Sequence, residues 1–238
     1  MRMFISGVIL LLSPLTILAS PCASGTLQSY VDLGSTGCEL GNRLIADFTL
    51  GPGPSFQPYI AMDPTLVTVT PGGTPLQPEL LVTTPYTATS GQIIFLWFDF
   101  VLTGALNGVS AELNSPSLSG NGQVTAFLDV CPDGFFNPYA PFGCPSGALP
   151  FLSVHAGPGN DKLADSMLLP NASFYHTSLH LYVGQDQPPE SASLDSVNIG
   201  FNTVPEPDVK LLTLAGLVAI CFRRYLHTLR LHGSFSSQ

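Results

Sequence analysis

The sequence predicts an all-β protein, an antiparallel β-sandwich of jelly-roll-like form, flanked by an N-terminal signal peptide and a C-terminal transmembrane helix. Three observations predict it. Apolar residues recur at every second position through much of the interior, the spacing that turns one face of a strand towards a core. The 22 prolines and 23 glycines collect between those stretches, where turns would separate short strands. Apolar runs free of acidic residues stand at both ends, outside the alternating region.

Taken in order, Met1 to Ser20 opens with one basic residue, Arg2. An apolar core from Val8 to Leu12 follows, continues through Leu15, Ile17 and Leu18, and exits on Ala19-Ser20. This is the layout of a secretory signal peptide. Pro14 breaks the helix that a permanent anchor would need, so removal of residues 1–19 is expected, with cleavage after Ala19. Cys22 follows Pro21 and not glycine or alanine, which disfavours lipid attachment.

Residues 20–203 then form the expected exported domain, roughly 180 residues and enough for one sizeable core. Fourteen of the sixteen acidic residues fall here with only two of the seven basic ones, Arg43 and Lys162, a formal charge of −12. Such a surface repels nucleic acid and anionic lipid. It reads as solubility outside the cell, with loose cation binding by carboxylates as an alternative. Four cysteines lie in this span, an even number suited to an oxidising compartment. Local pairing predicts Cys22 with Cys38 and Cys131 with Cys144. No Cys-x-x-Cys occurs, and Cys221 is left over in the C-terminal apolar run.

Strands are predicted at Leu44 to Leu50, Leu66 to Thr70 and Leu80 to Thr83. The strongest is Ile93 to Leu102. There Ile94, Leu96, Phe98, Phe100 and Leu102 make one apolar face, and Ile93, Phe95, Trp97, Asp99 and Val101 the other. A strand apolar on both sides belongs inside a sheet. Asn107-Gly108 predicts a two-residue hairpin ahead of Val109 to Leu113. Val124, Ala126, Leu128 and Val130 alternate with Gln123, Thr125, Phe127 and Asp129. Phe151 to Ala156, Phe174 to Val183 and Ser193 to Phe201 complete the set. Gly51-Pro52-Gly53-Pro54, Pro71-Gly72-Gly73, Pro132 to Pro145, Gly157-Pro158-Gly159 and Pro188-Pro189 read as loops.

Beyond the domain, Val204-Pro205-Glu206-Pro207 precedes an uncharged apolar run, Leu211 to Phe222, and then Arg223-Arg224. Lys210 and Arg223 bracket the run and would snorkel towards headgroups. A spanning helix wants about 20 apolar residues, and a shorter run also suits a buried core helix. Arg223, Arg224 and Arg230 all follow the run, so the positive-inside rule puts the C-terminus in the cytoplasm and the preceding domain outside.

A Val-Pro-Glu-Pro tetrapeptide, an apolar segment and an arginine pair near the C-terminus resemble the sorting signal of bacterial PEP-CTERM proteins. Val204, Pro205, Glu206, Pro207, Arg223 and Arg224 carry the resemblance. It implies an exported protein whose tail a membrane-embedded exosortase recognises and processes near the tetrapeptide, before hand-over to the cell surface or an exopolysaccharide matrix. The expected division is 1–19 signal peptide, 20–203 sandwich, 204–226 sorting signal with membrane segment and 227–238 cytoplasmic tail. The interior is similar to PEP-CTERM proteins without assigned activity, through Gly34-Ser35-Thr36-Gly37-Cys38, the apolar strand ending near Gly104, Val124 to Cys131 and Ser191 to Val197. That likeness implies a shared sandwich and no known chemistry.

Catalytic signatures are sparse. Gly-x-Ser-x-Gly, a phosphate-binding glycine loop and His-Glu-x-x-His are missing from the sequence. His176 and His180 would share a helix face, but the alternation around them is that of a strand, where four residues span about 13 Å and one zinc cannot reach both. Asp99 is the carboxylate expected to be partly buried, either as a general acid with a raised pKa or as a structural acceptor of hydrogen bonds. Asp161 and Asp165 follow a glycine turn that could suit Ca²⁺ yet lacks the established ligand spacing, so a solvated turn is expected. Trp97, Phe127, Phe135, Phe136, Tyr139 and Phe142 could present a sugar-stacking surface or close one end of the sandwich.

The expectation is therefore a non-catalytic protein of the cell envelope or extracellular matrix, anchored in the membrane before any processing. It would need no cofactor and no metal. An exosortase-type processing enzyme, exopolysaccharide and, through the C-terminal helix, the membrane are the expected partners. Two alternatives stand beside it: a secreted glycan-active enzyme using paired carboxylates, and a single-pass anchored surface protein whose tail is never cut.

Overall fold

The computed structural model describes residues 19–51, 59–89, 91–134, 144, 151–159, 161–185 and 191–203. In chain order the strands are β1 (Gly25–Thr26), β2 (Cys38–Leu40), β3 (Arg43–Leu50), β4 (Tyr59–Ala61), β5 (Thr68–Thr74), β6 (Gln77–Thr83), β7 (Thr87–Ala88) and β8 (Gln92–Thr103). They continue as β9 (Leu106–Asn114), β10 (Ser117–Ser119), β11 (Val124–Pro132), β12 (Phe151–Ala156), β13 (Ala164–Leu168), β14 (Phe174–Gln185), β15 (Ser191–Ser193) and β16 (Ser196–Thr203). One short helix, α1 (Leu27–Leu33), joins β1 to the rest; the Thr26 side chain caps it by accepting from the Ser29 N–H at 3.1 Å.

The strands make two main sheets. One runs β1-β5-β6-β16-β9-β13; the other runs β12-β11-β14-β8-β3-β2, with β4 added alongside β8. Among the named strands all pairings are antiparallel except β4 with β8, and Pro21 adds a parallel bridge to Glu39 of β2. A small third sheet, β10-β15-β7, accompanies them. The predicted all-β sandwich is what forms: inward residues of both main sheets share one core, and Phe100 of one meets Phe201 of the other edge-on, centroids 6.1 Å apart.

β8 is an interior strand, as its two apolar faces require. Its Ile94, Leu96, Phe98, Phe100 and Leu102 are buried in the core, while β14 and β3 bond its two edges. The alternation of β11 is equally literal, with Val124, Ala126, Leu128 and Val130 inside. An extra residue in β3, between the Ala46–Val101 and Thr49–Asp99 pairs, bulges that strand. Asp47 takes φ 54° there, and Phe48 turns inward onto Tyr30, Phe98 and Phe100.

Several expectations fail for physical reasons. Asn107-Gly108 is not a hairpin turn: both residues lie inside β9, whose partners are β13 and β16. The chain leaves the β8 sheet at Gly104, φ 88°, and enters the opposite sheet. Glycine at 108 serves close approach instead, since a Cβ there would stand 2.7 Å from the Met167 carbonyl oxygen. Pro71-Gly72-Gly73 is strand and not loop, pairing with Leu80, Glu79 and Pro78. The missing proline N–H is tolerated because β1 pairs only with Thr68 and Val69 on the other side of β5. The strand expected over Ser193 to Phe201 is two, broken at Leu194-Asp195. Asp165 is not in a turn but in β13, where its carboxylate meets Lys162 Nζ at 2.6 Å.

Candidate functional site

The outer face of the larger sheet collects chemistry that its inner face excludes. Register fixes the collection: Trp97, His180 and Phe127 stand in one row across β8, β14 and β11, and Asp99, Ser178 and Asp129 stand in the next. Cross-strand neighbours on one face approach within about 5.5 Å, so the two rows form a single network.

Within it the Asp99 carboxylate accepts from Trp97 Nε1 at 3.1 Å and from the Ser178 hydroxyl. Trp97 Nε1 also lies 3.0 Å from Ser178 Oγ, and Ser178 Oγ lies 3.0 Å from His180 Nε2. His180 Nε2 is 3.5 Å from Asp129 Oδ2. The Trp97 and His180 rings lie 4.5 Å apart at 30°. Gly51 rests against that indole, where a Cβ would fall 2.1 Å from the ring.

Burial sets the electrostatics. Asp129 is 4% exposed, and loss of water, then the nearby Asp99 charge, push its pKa up to about 6. Burial lowers the pKa of His180 and His176, opposed by Asp99 for both and by Asp47 for His176. His180 is therefore neutral at pH 7, and its contact with Asp129 is not an ion pair there. Serine, histidine and aspartate meet here without making a catalytic triad. Ser178 and Asp129 both address Nε2 of His180, whereas a triad places them on opposite ring nitrogens.

Beside the network the same face opens into two shallow depressions of about 310 and 360 Å³, sharing Gln123, Thr125 and Phe127. One extends to Tyr59 and Tyr182, the other to Ser153 and His155. Neither is lined by Asp99 or Asp129.

The sequence-predicted residues distribute unevenly. Cys22–Cys38 and Cys131–Cys144 are both disulfides. Asp99 has the hydrogen-bonded role, and the carboxylate with the raised pKa is Asp129 (β11), which sequence reasoning had not singled out. Its signal was the acid standing in the Val124–Val130 alternation, but only register reveals that it faces Ser178 and His180. His176 and His180 lie on a strand, two positions either side of Ser178. Among the described residues no group of three or more His, Cys, Asp or Glu is placed to hold a metal ion. Likewise none of the described helices is long and apolar enough to cross a membrane. Residues 1–18 of the expected signal peptide, Phe135, Phe136, Tyr139, Phe142, Val204, Pro205, Glu206, Pro207, the apolar run, Arg223 and Arg224 lie outside the described residues.

Fold and site together define a disulfide-closed all-β sandwich with a polar-aromatic sheet face, of the kind suited to an oxidising, extracellular environment. No family model matches the chain, and no curated protein matches it. Among solved structures it is similar to the glycosylation-associated Gap123 complex of Streptococcus agalactiae, at 9% identity and a TM-score of 0.27, over 52% of this chain and 20% of that one. It is also similar to the enzymatically active domain of bacteriophage CBA120 tailspike protein 4, at 11% identity and a TM-score of 0.24, over 67% of this chain and 19% of that one. The chain thus spans about a fifth of the length of either, and likenesses this slight carry no argument.

Proposed function

We propose that the chain is an exported, non-catalytic protein of the cell envelope or extracellular matrix, sorted through its PEP-CTERM-like tail and in contact with exopolysaccharide. The observation that carries the export reading is the pair of disulfides, Cys22–Cys38 and Cys131–Cys144, because such bonds persist where thiols are not kept reduced. Cys22 stands three residues after the expected cleavage point, so the signal peptide would leave the first bridge intact. Sorting rests on the tail: Val204-Pro205-Glu206-Pro207 would be read by an exosortase-type enzyme while Leu211 to Phe222 holds the chain in the membrane.

The test is intact mass of the protein from envelope and medium fractions, wild type beside Glu206→Ala. Sorting predicts a wild type ending between Val204 and Pro207 and a variant keeping its tail through Gln238. Tails retained in both, with the protein still in the membrane, would leave Leu211 to Phe222 as a plain anchor.

One observation favours the enzyme reading, namely the raised pKa of Asp129 close to a second carboxylate. Against it, Asp99 is engaged by Trp97 and Ser178, and Asp129 is buried outside both depressions. Glycan hydrolysis by wild type but not by Asp129→Asn would reverse the preference.

A further inference from the structure

We propose that the two depressions on the outer face of the larger sheet form one groove that binds a neutral polysaccharide chain, with Phe127 and Tyr182 as its floor. The proposal rests on the export reading, since the polymer meant is one that lies outside the cell.

Shape is the first argument. The depressions share Gln123, Thr125 and Phe127 and so lie side by side across β11. From Tyr59 on β4 the surface crosses β8, β14 and β11 to Ser153 and His155 on β12. Four strand spacings make about 19 Å, a length that suits several units of an extended polymer better than one small molecule. The depressions are shallow and open, which also fits a chain passing across the face.

Chemistry is the second. Tyr59 and Tyr182 meet at 6.3 Å and 76°, and Tyr182 and Phe127 at 6.2 Å and 73°. Rings set edge to face in series present a corrugated aromatic surface to solvent. All three are half-buried, so their remaining area is available while their orientation is held by packing. Pyranose rings have C–H faces that can lie on aromatic surfaces and hydroxyl rims that need hydrogen-bonding partners. Gln123, Thr125 and Ser153 supply amide and hydroxyl groups to the walls of the same depressions. A purely apolar peptide would leave those polar groups unmatched.

Charge selects the class of glycan. Among the described residues lining the depressions none is Asp, Glu, Lys or Arg, and His155 supplies the one imidazole. The span from residue 20 to residue 203 carries a formal charge of −12, so a uronate- or phosphate-bearing polymer would approach against a repulsive field, and the nearby Lys162, paired with His155 across the strands, is already engaged by Asp165 at 2.6 Å. An uncharged chain meets no such barrier.

The experiment uses the full mature protein and the producing cells' own exopolysaccharide, separated on an anion exchanger into neutral and acidic fractions. Retardation in affinity electrophoresis reads binding to each. The groove predicts retardation by the neutral fraction and none by the acidic fraction. It also predicts about tenfold weaker binding for Phe127→Leu, which keeps apolar volume but removes the ring; tenfold corresponds to about 1.4 kcal/mol. Gln123→Ala, at an exposed position that leaves the core untouched, should weaken binding by a smaller factor. Near-ultraviolet circular dichroism of each variant checks that the sandwich is intact.

A wild type that ignores the neutral fraction overturns the proposal, as does preference for the acidic one. Binding undiminished from wild type in both a folded Phe127→Leu and a folded Gln123→Ala also overturns it, since the site is then elsewhere. Fractionation separates the two readings. Protein found outside the cell that ignores the neutral fraction sinks the groove and leaves export standing, whereas protein confined to the cytoplasm sinks both.

Discussion

At the scale of the residue, Asp129 carries the clearest physical signature. Its folded pKa is raised to about 6 from 3.8, so between those values the folded state holds a proton that the unfolded chain has released. Stability contributed through this group is therefore highest below pH 3.8 and falls as pH rises to 6. The full penalty above pH 6 is about 3 kcal/mol at most. Asp129→Asn removes the charge at constant shape. It should melt at higher temperature than wild type above pH 6, with the difference vanishing below about pH 4; a difference independent of pH would contradict this origin. His176 and His180 act in the opposite sense. Their folded pKa values are lowered from 6.5, so their contribution is present above pH 6.5 and lost as pH falls below it. Wild-type stability in mildly acid solution is then a partial cancellation, and only the substitution isolates the aspartate. None of this could be read from sequence, because Asp99 and Asp129 both sit among alternating apolar residues. Register gives them different neighbours: Asp99 receives Trp97 and Ser178, whereas Asp129 lies under His180.

At the scale of the element, the long strands were legible because they bury one face continuously. β8, β11, β12 and β14 follow from period-two alternation, and β12 from Phe151 to Ala156 agrees end to end. Short elements were not: β13 alternates exposed and half-buried residues without a buried one, and α1 buries only Leu27 and Tyr30. Asn107-Gly108 misled because the same pair that suits a tight turn also suits a strand needing close backbone approach. The two roles are separable. Asn107→Thr should change stability by no more than about 0.5 kcal/mol, since an exposed strand position accepts a β-branched side chain; a two-residue turn would be visibly weakened. Gly104→Ala should be costly, about 1–3 kcal/mol. It combines φ 88° with a Cβ 2.3 Å from Arg43 Nη1 at the point where the chain changes sheets. Denaturant melts of both variants would check the pair.

At the scale of the whole molecule, the sandwich is closed by its core and fastened by its two disulfides. Each bridge spans a short loop, with sequence separations of 16 and 13, worth about 3 kcal/mol apiece in the chain-entropy model. Replacing Cys22 and Cys38 together by alanine should lower unfolding stability by about that amount, read in a denaturant titration. Local spacing made both pairings legible, because the intervening chain is too short to wander far from its own closure. The arrangement of sheets was legible only as a class. Strand order depends on which distant segments pair, and β16 beside both β6 and β9 brings together residues more than a hundred positions apart in sequence for one partner.

The two disulfides require that this sandwich mature outside the cytoplasm. Peptide mapping without reduction, on protein collected from the envelope of growing cells with free thiols blocked at lysis, tests it most directly. An exported protein should yield a mature chain beginning at Ser20 with Cys22 joined to Cys38 and Cys131 to Cys144. A chain still beginning at Met1, with all four of those cysteines carrying the blocking group, would contradict it.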